Sequence, residues 1–166
     1  ADRARQLFIR PGGDHFTLLN IWDQWVESGY SQVFCLDHFL QPKTLGRVRD
    51  VRDQLVNLCE RVELVPESRL SKAITAGYFM NTARLQKGGE TYRSIKQNTT
   101  VYVHPSSCLY KHVPQPRFLC YYELVETSKN FLRQVMEIQP EWLLEVARHY
   151  FSRDDLHDDT KQKRML

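Results

Sequence analysis

Hydrophobic and polar positions follow two different periods in this chain, and the change falls near its middle. Up to Gly88 the apolar residues recur at three- and four-residue spacing, which marks helices. From Gly89 to Ile138 they alternate with period two, which marks strands. Leu18, Leu19, Trp22, Trp25 and Val26 predict a first helix from Asp14, a plausible N-cap after Gly12-Gly13, to Ser28, with Gly29 as its stop. Ser31 is placed to cap a short second helix that carries Phe34, Phe39 and Leu40 and is closed by Pro42. Leu45, Val48, Val51, Leu55, Leu58, Cys59 and Val62 mark one face of a third helix that ends before Pro66. A fourth, Ser71 to Gln86, carries a small-residue face of Ala73, Ala76 and Gly77 suited to close approach of another helix.

After Gly88-Gly89, four segments read as strands: Tyr92 to Ile95, Thr99 to His104, Phe118 to Thr127 and Phe131 to Ile138. In the third, both alternating faces are apolar near the start, as in a small closed barrel. Pro140 at a helix N1 position introduces a short amphipathic helix with Trp142, Leu143 and Val146. The fold class is therefore α+β: a helical bundle over 1–88, a small β-barrel with a C-terminal helix over 89–152, and a polar tail over 153–166.

Composition adds limits. At 42% hydrophobic and 26% charged residues, 166 residues suffice for one compact core or two small ones. No run of eighteen apolar residues occurs, and Ala1 to Arg5 lacks a signal-peptide core, so neither membrane spanning nor secretion is expected. Cys35, Cys59, Cys108 and Cys120 are scattered within apolar runs, which favours buried thiols over zinc or a disulfide framework. A net charge of +3 permits nucleic-acid binding without implying it.

The sequence contains no phosphate-cradling glycine loop, dinucleotide fingerprint, H-E-x-x-H or G-x-S-x-G. His104 beside Ser106 and Ser107 is a poor nucleophile and base pair, because side chains so spaced at a strand end point in unrelated directions. Two readings stay open: hydrogen-bonding groups offered to the bases and phosphates of single-stranded nucleic acid, or a plain turn after Pro105. Thr127 to Asn130 is a hairpin tipped by Ser128 and Lys129, with Arg133 on the strand that follows; it is either a ligand-binding loop or a solvated turn. On the third helix Arg47 and Arg49 lie off the apolar seam, while Arg52 lies close to it and must find a carboxylate or an anionic ligand.

Six segments together resemble the C-terminal region of the DEAH-box RNA helicases of pre-mRNA splicing. They are Gly13-Asp-His-Phe-Thr-Leu-Leu-Asn20, Arg47-Val-Arg-Asp-Val-Arg-Asp-Gln-Leu55, Ile74-Thr-Ala-Gly-Tyr-Phe79, Val103-His-Pro-Ser-Ser107, Tyr122-Glu-Leu-Val125 with Thr127-Ser-Lys129, and Trp142-Leu-Leu-Glu-Val-Ala147. Ala73 to Phe79, Thr82 to Leu85 and Phe131 to Val135 look most like the member that remodels the activated spliceosome before the first catalytic step. The resemblance implies that the helical half is part of a ratchet domain and the β half an OB-fold, both flanking an RNA channel. His104, Ser106, Ser107, Ser128, Lys129 and Arg133, with Arg47 and Arg52 on the ratchet helix, are then the residues expected to bind RNA. It further implies a nuclear protein whose ATP and Mg2+ are held by RecA-like domains, with no cofactor or catalytic residue in this stretch. Expected partners are single-stranded pre-mRNA, the protein's own RecA-like and winged-helix domains, and spliceosomal proteins including a G-patch activator, with no membrane. The rival expectation is a protein-docking module that scarcely touches RNA. One departure stands out: Arg148 replaces the family's usual proline, which is expected to lengthen the last helix.

Overall fold

The structure, a computed structural model, describes residues 2–61 and 70–156. It divides into two compact units, one of residues 1–11 with 16–68 and one of residues 12–15 with 69–166.

The first unit is helical: α1 (Asp2–Gln6), most of α2 (Asp14–Glu27), α3 (Gln32–Asp37) and α4 (Pro42–Arg61). Its small core is aromatic. Phe8 is buried edge-on to Phe34 and His38, and Trp25 is buried against Trp22 and Tyr30. Asn20 Nδ2 donates to the Phe8 carbonyl at 2.9 Å, which satisfies the turn that leads into this cluster. Gly29 ends α2 with φ +69°, and the Ser31 hydroxyl accepts the Phe34 N–H as the N-cap of α3, both as the sequence indicates.

Two expectations fail in this unit. Pro42 does not close the second helix; α3 stops at Asp37, Phe39 takes φ +57°, and Pro42 opens α4, where its missing N–H costs nothing. The apolar seam of α4 is solvent-exposed rather than buried, with Val51 at 54% and Leu55 at 55% exposure. Arg52 is therefore no buried charge. It lies 5.7 Å from the Trp22 ring and 3.8 Å from an Asp53 carboxylate oxygen, well exposed to water. Val62 and the expected helix end before Pro66 lie outside the described residues.

The second unit begins with α5 (Leu70–Gly77) and continues with β1 (Thr82–Leu85), β2 (Tyr92–Ser94), β3 (Thr100–Val103), β4 (Phe118–Glu126), β5 (Asn130–Glu137), α6 (Pro140–Val146) and α7 (Arg153–Leu156). The five strands close into a barrel in the order β1-β2-β3-β5-β4, every pairing antiparallel except β3 with β5. That is the arrangement of an OB-fold. Ala83, Tyr92, Val101, Val103, Leu119, Tyr121, Leu132 and Val135 fill its interior.

The helix expected from Ser71 to Gln86 is a correction: it ends at Gly77, and Thr82 to Leu85 form the first barrel strand. Strand pairing overrides local helix spacing here, because β1 is the strand that bridges β2 to β4 and Ala83 is wholly buried in the core. Nor does the small-residue face of α5 pack: Ala73, Ala76 and Gly77 are exposed, while Thr75 is buried. Lys72 of α5 pairs with Glu145 of α6. Arg148 does not lengthen α6. The helix ends at Val146, and Arg148 Nε donates back to the Leu144 carbonyl at 3.2 Å. The start of the expected polar tail is ordered as α7, where Asp155 accepts from Lys96 at 2.9 Å and from the Ser152 N–H at 2.7 Å. Asp158, Asp159, Lys161, Lys163 and Arg164 lie outside the described residues.

A short segment completes the barrel. Gly13 bridges Met136, the Gly12 carbonyl accepts the Glu137 N–H at 2.9 Å, and Asp14 Oδ1 and Oδ2 accept the N–H groups of Cys108 at 2.7 Å and Val135 at 3.0 Å. A Cβ on Gly13 would sit 2.5 Å from the Val135 oxygen, and its φ is +129°. Gly13→Ala is therefore expected to lower the unfolding free energy by at least about 2 kcal/mol. Asp14→Ala should cost about 3 kcal/mol by orphaning two amides. Urea melts check both, and amide hydrogen exchange should show Cys108 and Val135 losing protection in Asp14→Ala. Burial pushes the Cys120 thiol up to about 12, so alkylation at about pH 8 should reach it only after unfolding.

Candidate nucleic-acid interface

Val103 is the last core residue of β3, and the chain beyond it is held by its own hydrogen bonds. The His104 N–H donates to the Leu132 carbonyl at 2.9 Å, which extends the β3–β5 pairing by one bond. Its Nδ1 lies 3.0 Å from the Ser106 N and 2.7 Å from the Ser106 Oγ. A backbone N–H can only donate, so Nδ1 is the acceptor and the neutral ring carries its proton on Nε2. The ring stands edge-on to Phe131 with centroids 5.6 Å apart.

Ser107 occupies a different position. It is 8% exposed, its Oγ accepts the Leu109 N–H at 3.1 Å, and its carbonyl accepts the Tyr110 N–H at 3.1 Å. Its hydroxyl serves the turn, whereas His104 and Ser106 are only half-buried.

The β4–β5 hairpin reaches the same face of the barrel. Its tip is fixed by Thr127, whose N–H and Oγ1 both donate to the Lys129 carbonyl, at 3.0 and 3.3 Å. Ser128 and Lys129 are exposed. Lys129 Nζ lies 4.6 Å from the centre of the Tyr102 ring, a cation–π contact. Tyr102 and Phe131 are register partners across the parallel β3–β5 pair, with ring centroids 6.2 Å apart. Arg133 is farther along β5 and is already matched: its Nη1 lies 3.1 Å from Oε1 of Glu123, its register partner on β4.

A cleft of about 550 Å³ opens at this face, lined by Thr91, Tyr102, Tyr110, Lys111, Lys129 and Phe131 among others. It brings together the β1–β2 loop, β3 and the β4–β5 loop, the parts with which an OB-fold binds oligonucleotides and oligosaccharides. Aromatic faces for stacking and ammonium groups for phosphate are the chemistry a single strand requires.

Of the residues the sequence singles out, His104, Ser106, Ser128 and Lys129 are gathered near this face. Ser107 is beneath it and Arg133 is paired beside it. Arg47 and Arg52 belong to the other unit, both exposed on α4. Tyr102, Phe131, Tyr110 and Lys111 were not expected in a site. A signal existed for Tyr102, which falls out of phase with the inward Val101 and Val103 and so places an aromatic ring on the outside of a strand.

Residues 70–150 match a protein-family model described as an oligonucleotide/oligosaccharide-binding (OB)-fold, the domain found at the C-terminus of DEAH/RHA helicases. The match takes in α5, the whole barrel and α6.

The hydrogen bonds around His104 have a direct spectroscopic consequence. In nitrogen-15 NMR of the neutral imidazole, Nδ1 should give the unprotonated signal and Nε2 the protonated one. Ser106→Ala should keep that tautomer, since the backbone donor remains.

Proposed function

We propose that this chain is the C-terminal portion of an ATP-dependent DEAH-box RNA helicase of pre-mRNA splicing, and that its barrel grips single-stranded RNA. The observation that carries this reading is the composite of Tyr102, Phe131 and Lys129 on an OB-fold's ligand-binding side, with His104 against it. Bases stack on the rings, the Lys129 ammonium meets a phosphate, and the His104 Nε2–H and the exposed Ser128 hydroxyl supply further donors. None of these groups reads a base edge in a fixed geometry, so binding is insensitive to sequence and sensitive to salt.

On this reading ATP and Mg2+ are handled by RecA-like domains of the full-length protein, and the barrel supplies grip while those domains move the strand. A nuclear location, contact with spliceosomal proteins and a G-patch activator, and a place before the first catalytic step of splicing belong to the same proposal. They rest on the motif resemblance in Val103 to Ser107, Thr127 to Lys129 and Ala73 to Phe79. Arg47 and Arg52 are proposed as additional phosphate contacts, suited to it by exposure of their guanidinium groups on α4.

Fluorescence anisotropy of a labelled oligouridylate titrated with the chain, at two salt concentrations, tests the proposal. Tyr102→Ala should weaken binding about tenfold, the value of about one stacked base. Lys129→Ala should reduce the slope of log affinity against log salt by about 0.7, one phosphate contact on a single strand. Arg133→Ala should do less than either, because Glu123 already holds its charge. Undetectable binding of the unmodified chain at low salt, or affinity unchanged in Tyr102→Ala and Lys129→Ala, overturns the reading.

A further inference from the structure

The loop from β3 to β4 repeats, in the same cleft, the construction seen at Lys129 and Tyr102. Lys111 Nζ lies 5.3 Å from the centre of the Tyr110 ring, and both residues line the cleft of about 550 Å³ that Tyr102 and Lys129 also line. Tyr110 is 41% exposed, and Lys111 is exposed. Among the described residues no carboxylate lies within ion-pair distance of either lysine. Glu90 is the one carboxylate that lines the cleft, and it too is exposed to water. Both ammonium groups therefore keep N–H donors for an anion from outside.

The chain holds this second pair firmly. Leu109, directly before Tyr110, is buried in the barrel core, and the N–H groups of Tyr110 and His112 donate to the carbonyls of Ser107 at 3.1 Å and Leu109 at 3.2 Å. Beyond the pair, His112 Nδ1 donates to the Pro114 carbonyl at 2.8 Å, and the hydroxyl of the core residue Tyr92 lies 2.8 Å from the Pro116 carbonyl oxygen. A loop anchored at both ends loses little freedom when a ligand arrives. The turn itself does not call for a lysine. Lys111 has φ +57°, a left-handed backbone that glycine adopts at lower cost. Local strain of this kind collects at binding sites, and here it sets a free ammonium against an exposed ring.

A tyrosine face takes one base and an unpaired lysine one phosphate, so two such pairs in one cleft match two nucleotides of a single strand. We infer that Tyr110 and Lys111 form a second stacking and phosphate position, and that the cleft holds two bases at once, one at Tyr102 and Phe131 and one at Tyr110. The second position stands on the β3–β4 loop itself; its assignment to RNA rests on the function proposed above.

Anisotropy on the 166-residue chain with an oligouridylate of about twelve nucleotides, within the range one such barrel covers, tests the inference. Tyr110→Ala should weaken binding about tenfold, whereas Tyr110→Phe, which keeps the ring, should bind as the unmodified chain does. Lys111→Gly should lower the salt slope by about 0.7. The same substitution relieves the left-handed strain, so its urea midpoint should rise, which separates lost binding from lost folding. Two separate bases make the losses of Tyr102→Ala and Tyr110→Ala additive, about a hundredfold in the double variant. A double variant no weaker than the worse single one means that both rings enclose one base, which overturns the two-base cleft. Photo-crosslinking of a strand carrying 5-iodouridine, read by mass spectrometry, should label Tyr110 as well as Tyr102 or Phe131. If Tyr110→Ala and Lys111→Gly are silent while Tyr102→Ala and Lys129→Ala weaken binding, the second position is wrong and the RNA surface stands. If all four are silent, both fail.

Discussion

The barrel depends on how the exposed edge of β5 is satisfied where β3 runs out. β3 and β5 share only two register pairs, Tyr102 with Phe131 and Val103 with Leu132, plus the bond from the His104 N–H to the Leu132 carbonyl. Past that point Gln134 takes φ +49°, and β5 turns so that Leu132 and Val135, three residues apart, both enter the core. β4 runs along one edge of β5 at Val135 while the β3 register on the other edge ends at Leu132, and the Val135 N–H and the Cys108 N–H, in the loop that follows β3, both donate to Asp14. A neutral side chain with one acceptor could serve one of them. A carboxylate has an oxygen for each, and Asp14, 8% exposed, uses both. Gly12 and Gly13 bring it there by following β5 closely enough to leave no space for a Cβ at Gly13.

The candidate site inherits its geometry from that seam. Asp14 fixes the loop after His104 relative to β5, and β5 carries Phe131. The hairpin that begins β5 brings Lys129 over Tyr102 of β3. A parallel pair is required for this, because it sets Tyr102 and Phe131 next to each other at the ends of two segments almost thirty residues apart. The ring of His104 meets Phe131 for the same reason. Four residues from two segments, Tyr102 with His104 and Lys129 with Phe131, thus form one surface.

That explains what could be read from the chain. Four of the five strands were legible, since period-two alternation reports a half-buried strand directly. β1 was not, because Ala83 and Leu85 continue the spacing of the helix before them and only the barrel's need for a bridge between β2 and β4 decides their state. His104, Ser106, Ser128 and Lys129 were legible as polar groups at strand ends and as family motifs, and Ser107 was drawn in with them although its hydroxyl is used within the turn. The Tyr102–Phe131 platform was not legible: it arises from the parallel pairing, which leaves no local signature. The expected burial of Arg52 failed for the opposite reason, although the arginine does lie beside a carboxylate, that of Asp53. Its apolar seam was read correctly, but a periodic apolar face does not establish that this unit buries it, and the argument from a buried charge needed that burial.

Charge partners then rank the basic residues more finely than their positions do. Arg133 and Lys129 are near neighbours at one end of the barrel, yet they are not equivalent. Arg133 faces a carboxylate across the strand pair, so a phosphate arriving there must displace Glu123 or tolerate it. Lys129 faces the π cloud of Tyr102, which attracts the ammonium without neutralising it and leaves its outer N–H donors for an anion. The same ring has a second face for a base. A lysine on a tyrosine therefore supplies stacking and charge at one point, and that pairing, rather than the number of cations nearby, is what makes this end of the barrel suited to a single strand.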